Sequence, residues 1–171
     1  AFFASDVKPD EIILIDDGKI MLKVLESNKI DRVKLEVLKG GLVQSKKGVN
    51  MPETVTTVPS LTEKDLNDLD FILTQDVNWI ALSFVRSAAD IDLLRTEMLK
   101  RNKSSNIPGI VAKIEKPEAV TCIDEIVAVT DAVMVARGDL GVELPMEQVP
   151  LVQKHIVAQC IAVSKPVIVA T

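Results

Sequence analysis

From Glu11 to Val24 apolar and polar positions follow the pattern of two strands around a turn. Glu11-Ile12-Ile13-Leu14-Ile15 and Lys19-Ile20-Met21-Leu22-Lys23-Val24 flank Asp16-Asp17-Gly18, so a hairpin is predicted. Arg32 to Leu38 alternates again, and Gly40-Gly41 is expected to turn it into a further strand, Leu42-Val43-Gln44. This part of the chain reads as a small antiparallel β-meander.

The pattern changes after Lys46-Lys47-Gly48-Val49-Asn50-Met51-Pro52. With Pro59 following, the stretch Gly48 to Ser60 suits a boundary between two bodies able to move, and the domains are drawn as residues 1–50 and 51–171. Beyond it, apolar strands alternate with amphipathic helices. The order is a helix capped at Thr62 (Glu63 to Leu73), strand Trp79 to Val85, a helix from Ser87 to about Lys100 and strand Gly109 to Ile114. A helix from Pro117 to Val127, strand Ala132 to Ala136, a helix from Val149 to Val163 and strand Val167 to Ala170 complete it. Runs such as Ile110-Val111-Ala112 and Val133-Met134-Val135 are apolar on both faces, as parallel strands under helices require. The fold class is therefore α/β, and periodicity leaves a barrel and an open doubly wound sheet both standing.

Composition narrows the function. The 171 residues are 47% hydrophobic, enough for a substantial core. A net charge of −5 with 3% aromatics speaks against nucleic acid or an anionic membrane surface as partner. The longest apolar runs are far shorter than a spanning helix, and Ala1-Phe2-Phe3-Ala4 has no basic flank, so a soluble, cytoplasmic protein is expected. Cys122 and Cys160 stand apart in apolar helical contexts and read as reduced core thiols. His155 is the sole histidine, which leaves a zinc site or a histidine-based triad little to build on.

The densest polar cluster falls at strand ends, where α/β folds keep their sites. Lys113-Ile114-Glu115 closes one strand and Arg137-Gly138-Asp139-Leu140-Gly141 follows the next. Two residues apart in a strand, Lys113 and Glu115 point to the same side and put a cation and an anion in one pocket. Asp139 is placed to add a second carboxylate, and two carboxylates with waters is how Mg²⁺ or Mn²⁺ is held. Gly138 and Gly141 leave backbone N–H groups open to an anion at the start of a short helix. A plain salt bridge capping the strand is the structural alternative. Lys46 and Lys47 have the alternative of ordinary solvated lysines, Arg86 reads as a salt-bridging surface residue, and Asp17 as hairpin chemistry.

Val111-Ala112-Lys113-Ile114-Glu115, Met134-Val135-Ala136-Arg137-Gly138-Asp139-Leu140-Gly141-Val142-Glu143 and Lys165-Pro166-Val167-Ile168-Val169-Ala170-Thr171 resemble, in order and spacing, the signature of the pyruvate kinases. Lys46 to Pro52 is similar to that family's exit from its lid domain, Ala81 to Arg86 to its fourth barrel strand, and Ile13 to Ile20 to its lid hairpin. The resemblance implies a partial TIM (β/α)8 barrel with an attached small antiparallel β-barrel lid segment: half of the lid in residues 1–50, and barrel strands four to seven in residues 51–171. It further implies a glycolytic phosphotransferase moving a phosphoryl group from phosphoenolpyruvate to ADP, giving pyruvate and ATP, in a homotetramer.

By the same resemblance Glu115 and Asp139 bind the divalent metal, and Lys113 faces the phosphoryl group in flight. Gly138 and Asp139, with the Thr171 hydroxyl, hold the substrate carboxylate; Thr171 counts among the catalytic groups, Ser83 supports the site, and Lys47 meets nucleotide phosphates. The family's K⁺ ligands and one phosphoryl-contacting arginine belong to strands this chain lacks. The chain is thus expected to be an internal piece, starting without Met and ending within a strand motif, that turns over no substrate alone. Two other readings are a metal-dependent lyase or aldolase on a related phosphoenolpyruvate-type barrel, and a folded piece without catalysis.

Overall fold

The computed structural model describes residues 2–102 and 106–171. They divide into two compact units: the chain up to Val58 with Val142–Leu144, and Pro59–Gly141 with Pro145–Thr171.

The first unit opens with a short helix, α1 (Phe2–Asp6), followed by β1 (Ile12–Ile15), β2 (Ile20–Ser27), β3 (Val33–Lys39) and β4 (Val49–Asn50). The four strands form an antiparallel sheet in the order β3-β2-β1-β4. Alternation along β2 buries Ile20, Leu22 and Val24, which meet Val7 and Ile13 in a core flanked by Phe3, Val33 and Met51. The hairpin between β1 and β2 runs through three successive left-handed residues, Asp16, Asp17 and Gly18, with φ of 53°, 56° and 80°. Asp and Gly tolerate that region better than other residues, which is why this tripeptide turns the chain.

The expected strand Leu42 to Gln44 does not form. Leu42 and Val43 are 80% and 64% exposed, so their apolar side chains find no core face in that position. The sheet extends instead on its other side, where β4 pairs with β1 through Ile15↔Val49 and Leu14↔Asn50.

In the second unit α2 (Glu63–Ile72) precedes β5 (Trp79–Leu82), α3 (Ala88–Arg101), β6 (Gly109–Ile114), α4 (Pro117–Thr121) and α5 (Ile123–Val129). Then come β7 (Ala132–Ala136), α6 (Arg137–Glu143, whose Val142 and Glu143 are counted with the first unit), α7 (Val149–Ala162) and β8 (Val167–Ala170). Thr62 caps α2 as expected: its hydroxyl accepts from Asp65 N–H while the Asp65 carboxylate accepts from Thr62 N–H. Ser87 and Asp90 make the same box at the start of α3, whose Ile91, Leu94 and Met98 form one buried stripe. The helix expected from Pro117 to Val127 is two helices broken at Cys122, whose ψ of 20° leaves the helical path; the new direction lets Ile123, Ile126 and Val127 bury together.

β5, β6, β7 and β8 pair in parallel in chain order. Each strand lies beside its predecessor with no reversal, the winding of a (β/α)8 barrel and not of a doubly wound sheet. Among the described residues the four strands form an open sheet. Gly109, at the start of β6, is required by a neighbour: a Cβ there would stand 2.6 Å from the Trp79 ring.

The N-terminal ends of these strands are locked by polar groups. Asp131 accepts from Ile110 N–H at 2.8 Å and from Arg95 at 3.0 Å. Lys165 Nζ donates to the carbonyls of Val127, Ala128 and Thr130 at 2.6, 2.9 and 2.7 Å, collecting chain ends that α5 leaves unpaired. This end is stabilising, which leaves the opposite, C-terminal ends of the strands open for chemistry.

Candidate active site

At the C-terminal end of β6 the strand alternation acts as expected. Ile114 is fully buried on one side, while Lys113 and Glu115 share the other. Lys113 Nζ stands 2.5 Å from Glu115 Oε1 and donates to Ser83 Oγ at 3.0 Å. Glu115 is only 2% exposed, so protein groups rather than water must supply its hydrogen bonds. Its second oxygen, Oε2, accepts from the backbone N–H of Phe84 at 2.8 Å. Each carboxylate oxygen therefore has one donor, one from β6 and one from the turn after β5.

That turn departs from expectation. The strand predicted to reach Val85 ends at Leu82, and the chain swings away through Phe84, whose φ is +55°. A bulky residue in the left-handed region is an outlier. Phe84 carries a site contact through its main chain, and sequence reasoning missed it; the Ser83-Phe84-Val85 string reads as continued strand.

One strand further, β7 passes directly into α6, so Gly138 and Asp139 occupy the first turn of that helix, both exposed. Register puts Ile114 opposite Val135, and Ala136 opposite Ala170, so Glu115, Ala136 and Ala170 end their strands at one level. Arg137 Nε donates to Ala170 O at 2.7 Å and straps β7 to β8. Gly138 lies against Thr171: a Cβ at position 138 would stand 3.3 Å from the Thr171 carbonyl oxygen. Two clusters result, Lys113 with Glu115 and Ser83, and Gly138 with Thr171, with Asp139 next in chain to Gly138. Lys47 belongs to the first unit, where its ammonium pairs with Asp16 Oδ1 at 2.9 Å. Lys47 and Lys19 together hold the Asp16 carboxyl below its ordinary value.

Among the described residues no three His, Cys, Asp or Glu side chains gather as a ready cation cage. The carboxylates at the C-terminal ends of β6 and β7 are those of Glu115 and Asp139. Hard oxygen donors in that number fit a small divalent cation that keeps most of its waters, and fit poorly a soft or tetrahedral metal. No helix among the described residues is long and apolar enough to cross a membrane.

The family profile described as "Pyruvate kinase, barrel domain" matches residues 2–171. The chain belongs to the pyruvate kinase family. It is 51% identical over 168 residues to a pyruvate kinase of Corynebacterium glutamicum, covering 98% of this chain and 34% of that protein. To a pyruvate kinase of Mycobacterium tuberculosis H37Rv it is 47% identical over 168 residues, covering 98% of this chain and 35% of that one. Among solved structures, a pyruvate kinase from Cryptosporidium parvum superposes with a TM-score of 0.92 at 34% identity, over 99% of this chain and 36% of that chain. The chain thus spans about a third of the length of these relatives. The order of β5 to β8 is that of a (β/α)8 barrel, and Lys113 and Glu115 stand at the C-terminal end of β6.

Proposed function

We propose that these residues serve the transfer of a phosphoryl group from phosphoenolpyruvate to ADP, producing pyruvate and ATP, within a longer enzyme that forms a homotetramer in the cytoplasm. The observation that carries the reading is the buried Glu115 carboxylate, ion-paired to Lys113 at a strand end in a chain of the pyruvate kinase family. A carboxylate taken out of water is costly unless it is paired, and such a carboxylate beside a partly exposed ammonium at a strand end supports a functional reading.

In this reading Glu115 and Asp139 hold Mg²⁺ or Mn²⁺, and Asp139 is free for it because its side chain is exposed on the first turn of α6. When bound, the cation supplies positive charge against the negative charge that develops on enolate and phosphoryl oxygens. Lys113 keeps its ammonium beside the same oxygens and stabilises charge spread over the phosphoryl group. Ser83 fixes the Lys113 side chain by accepting from Nζ. The backbone N–H groups of Gly138 and Asp139, at the start of α6, and the Thr171 hydroxyl hold the substrate carboxylate. Lys47 meets the nucleotide phosphates once released from Asp16. The K⁺ ligands lie outside this chain. Residues 1–50 are half of the lid domain and 51–171 the middle of the barrel domain.

The test is a lactate-dehydrogenase-coupled assay of the intact protein with phosphoenolpyruvate, ADP, Mg²⁺ and K⁺. Pyruvate formation that Glu115→Gln abolishes supports the proposal. A protein that makes no pyruvate, or a Glu115→Gln enzyme as fast as the parent, overturns it.

A further inference from the structure

The loop after β5 contributes two consecutive residues to opposite members of the charged pair. Ser83 Oγ accepts from the Lys113 ammonium at 3.0 Å, and Phe84 N–H donates to Glu115 Oε2 at 2.8 Å. In a continuing strand side chains alternate across the sheet while main-chain N–H groups lie in its plane, so a Ser83 hydroxyl and a Phe84 N–H would point in different directions. The chain leaves the strand here: Phe84 is left-handed, φ +55°, which turns the following residues away and leaves the Ser83–Phe84 peptide with its N–H on the carboxylate. Glycine is the residue such a position ordinarily takes, and Phe84 adopts it although the residue is 55% exposed. Burial of the ring therefore does not hold the conformation. What the strained conformation gains is the N–H bond to a carboxylate that is itself buried, and strain retained beside a site is characteristic of a functional constraint.

We propose that Phe84 is a positioning residue for Glu115: its left-handed backbone, and not its aromatic ring, sets the carboxylate in place to hold a divalent cation. The inference rests on the proposed role of Glu115 and adds a residue whose contribution is made by the main chain. Glycine adopts a left-handed backbone without strain, whereas a β-branched residue resists it most. Valine keeps an apolar side chain at this position and glycine keeps none. Neither variant has the ring, so the difference between them reads the backbone.

The experiment measures Mn²⁺ binding to the intact protein by electron paramagnetic resonance, without substrates. Phe84→Val is expected to bind Mn²⁺ about tenfold more weakly than Phe84→Gly, the scale of one lost hydrogen bond to a charged group. Equal affinities in the two variants, or weaker binding by Phe84→Gly, overturn the proposal, the latter in favour of an apolar side chain at this position. Should Phe84→Val fail to fold by circular dichroism, an ester in place of the peptide at residue 84, introduced as phenyllactate, removes the N–H and keeps the ring. About tenfold weaker Mn²⁺ binding is then expected, and affinity equal to the parent overturns the proposal. Glu115→Gln separates the two layers of the argument. If it binds Mn²⁺ like the parent, the metal reading of Glu115 falls and this inference with it. If it loses binding while Phe84→Val and the ester keep it, only the role of Phe84 falls.

Discussion

Replacing Lys113 with methionine separates the stability of the charged pair from its chemistry. Methionine matches the length of the lysine stem and removes the ammonium, so Glu115 Oε1 loses the partner now 2.5 Å away while Oε2 keeps the Phe84 N–H. Breaking a fully buried pair costs about 3–5 kcal/mol. Here Lys113 retains 24% side-chain exposure, and water can reach the place its ammonium leaves, so the expected loss is about 2–3 kcal/mol. Adding Glu115→Gln removes the stranded charge. The double variant should then recover about 1 kcal/mol or more relative to Lys113→Met, a coupling of the size contacting residues show.

Activity should behave differently. Lys113→Met is expected to lower turnover by at least ~10²-fold, the scale of one preorganised charge stabiliser, and the double variant should recover none of it. Urea denaturation of the intact protein reads the first effect and the coupled pyruvate assay the second. Stability losses that simply add in the double variant would show that the two groups do not support one another. Wild-type turnover in Lys113→Met would remove this residue from the phosphoryl chemistry altogether.

At the other end of the strands, Lys165→Met should destabilise by about 2–3 kcal/mol, because three carbonyls around the end of α5 lose one charged donor; a thermal midpoint unchanged from the parent would contradict this clamp. Burial opposes ionisation of Asp131, but Ile110 N–H and the Arg95 guanidinium outweigh it and hold the carboxyl below its ordinary value. Its contribution is therefore present above the unfolded value, about pH 4, and is lost as pH falls through the lower folded one. Asp131→Asn should be less stable at neutral pH and show a shallower acid loss, and parallel stability curves for the two proteins would refute the linkage. Burial pushes the Cys160 thiol up despite Lys165 nearby, so a thiol reagent at pH 8 should label Cys160 only on unfolding; labelling as fast as a free thiol would place it at the surface.

Local rules made much of this molecule readable in advance. Thr62 followed three residues later by Asp65 announces a helix start, because a hydroxyl and a carboxylate can satisfy each other's backbone N–H at that spacing alone. β8 begins and ends where its apolar run does, from Val167 to Ala170. The departures occur where a distant partner decides. Leu42-Val43-Gln44 has the look of a strand, yet it finds no core face beside β3, and the sheet gains Val49 and Asn50 beside β1 instead. Cys122 sits in a helical pattern, yet the chain bends there to bury Ile123 and Ile126.

The candidate site divides the same way. That Lys113 and Glu115 face one side was determined by sequence, since the period of two in a strand is a property of the backbone. Which groups answer them was not. The Glu115 carboxylate is held by a residue 31 positions away, through an N–H that every amino acid but proline possesses, so no side-chain pattern could have signalled it. Only the parallel pairing of β5 with β6, and the left-handed turn at Phe84 that follows it, brought that N–H to the buried charge. A buried ion must find its donors wherever the fold supplies them, and that choice belongs to the tertiary structure.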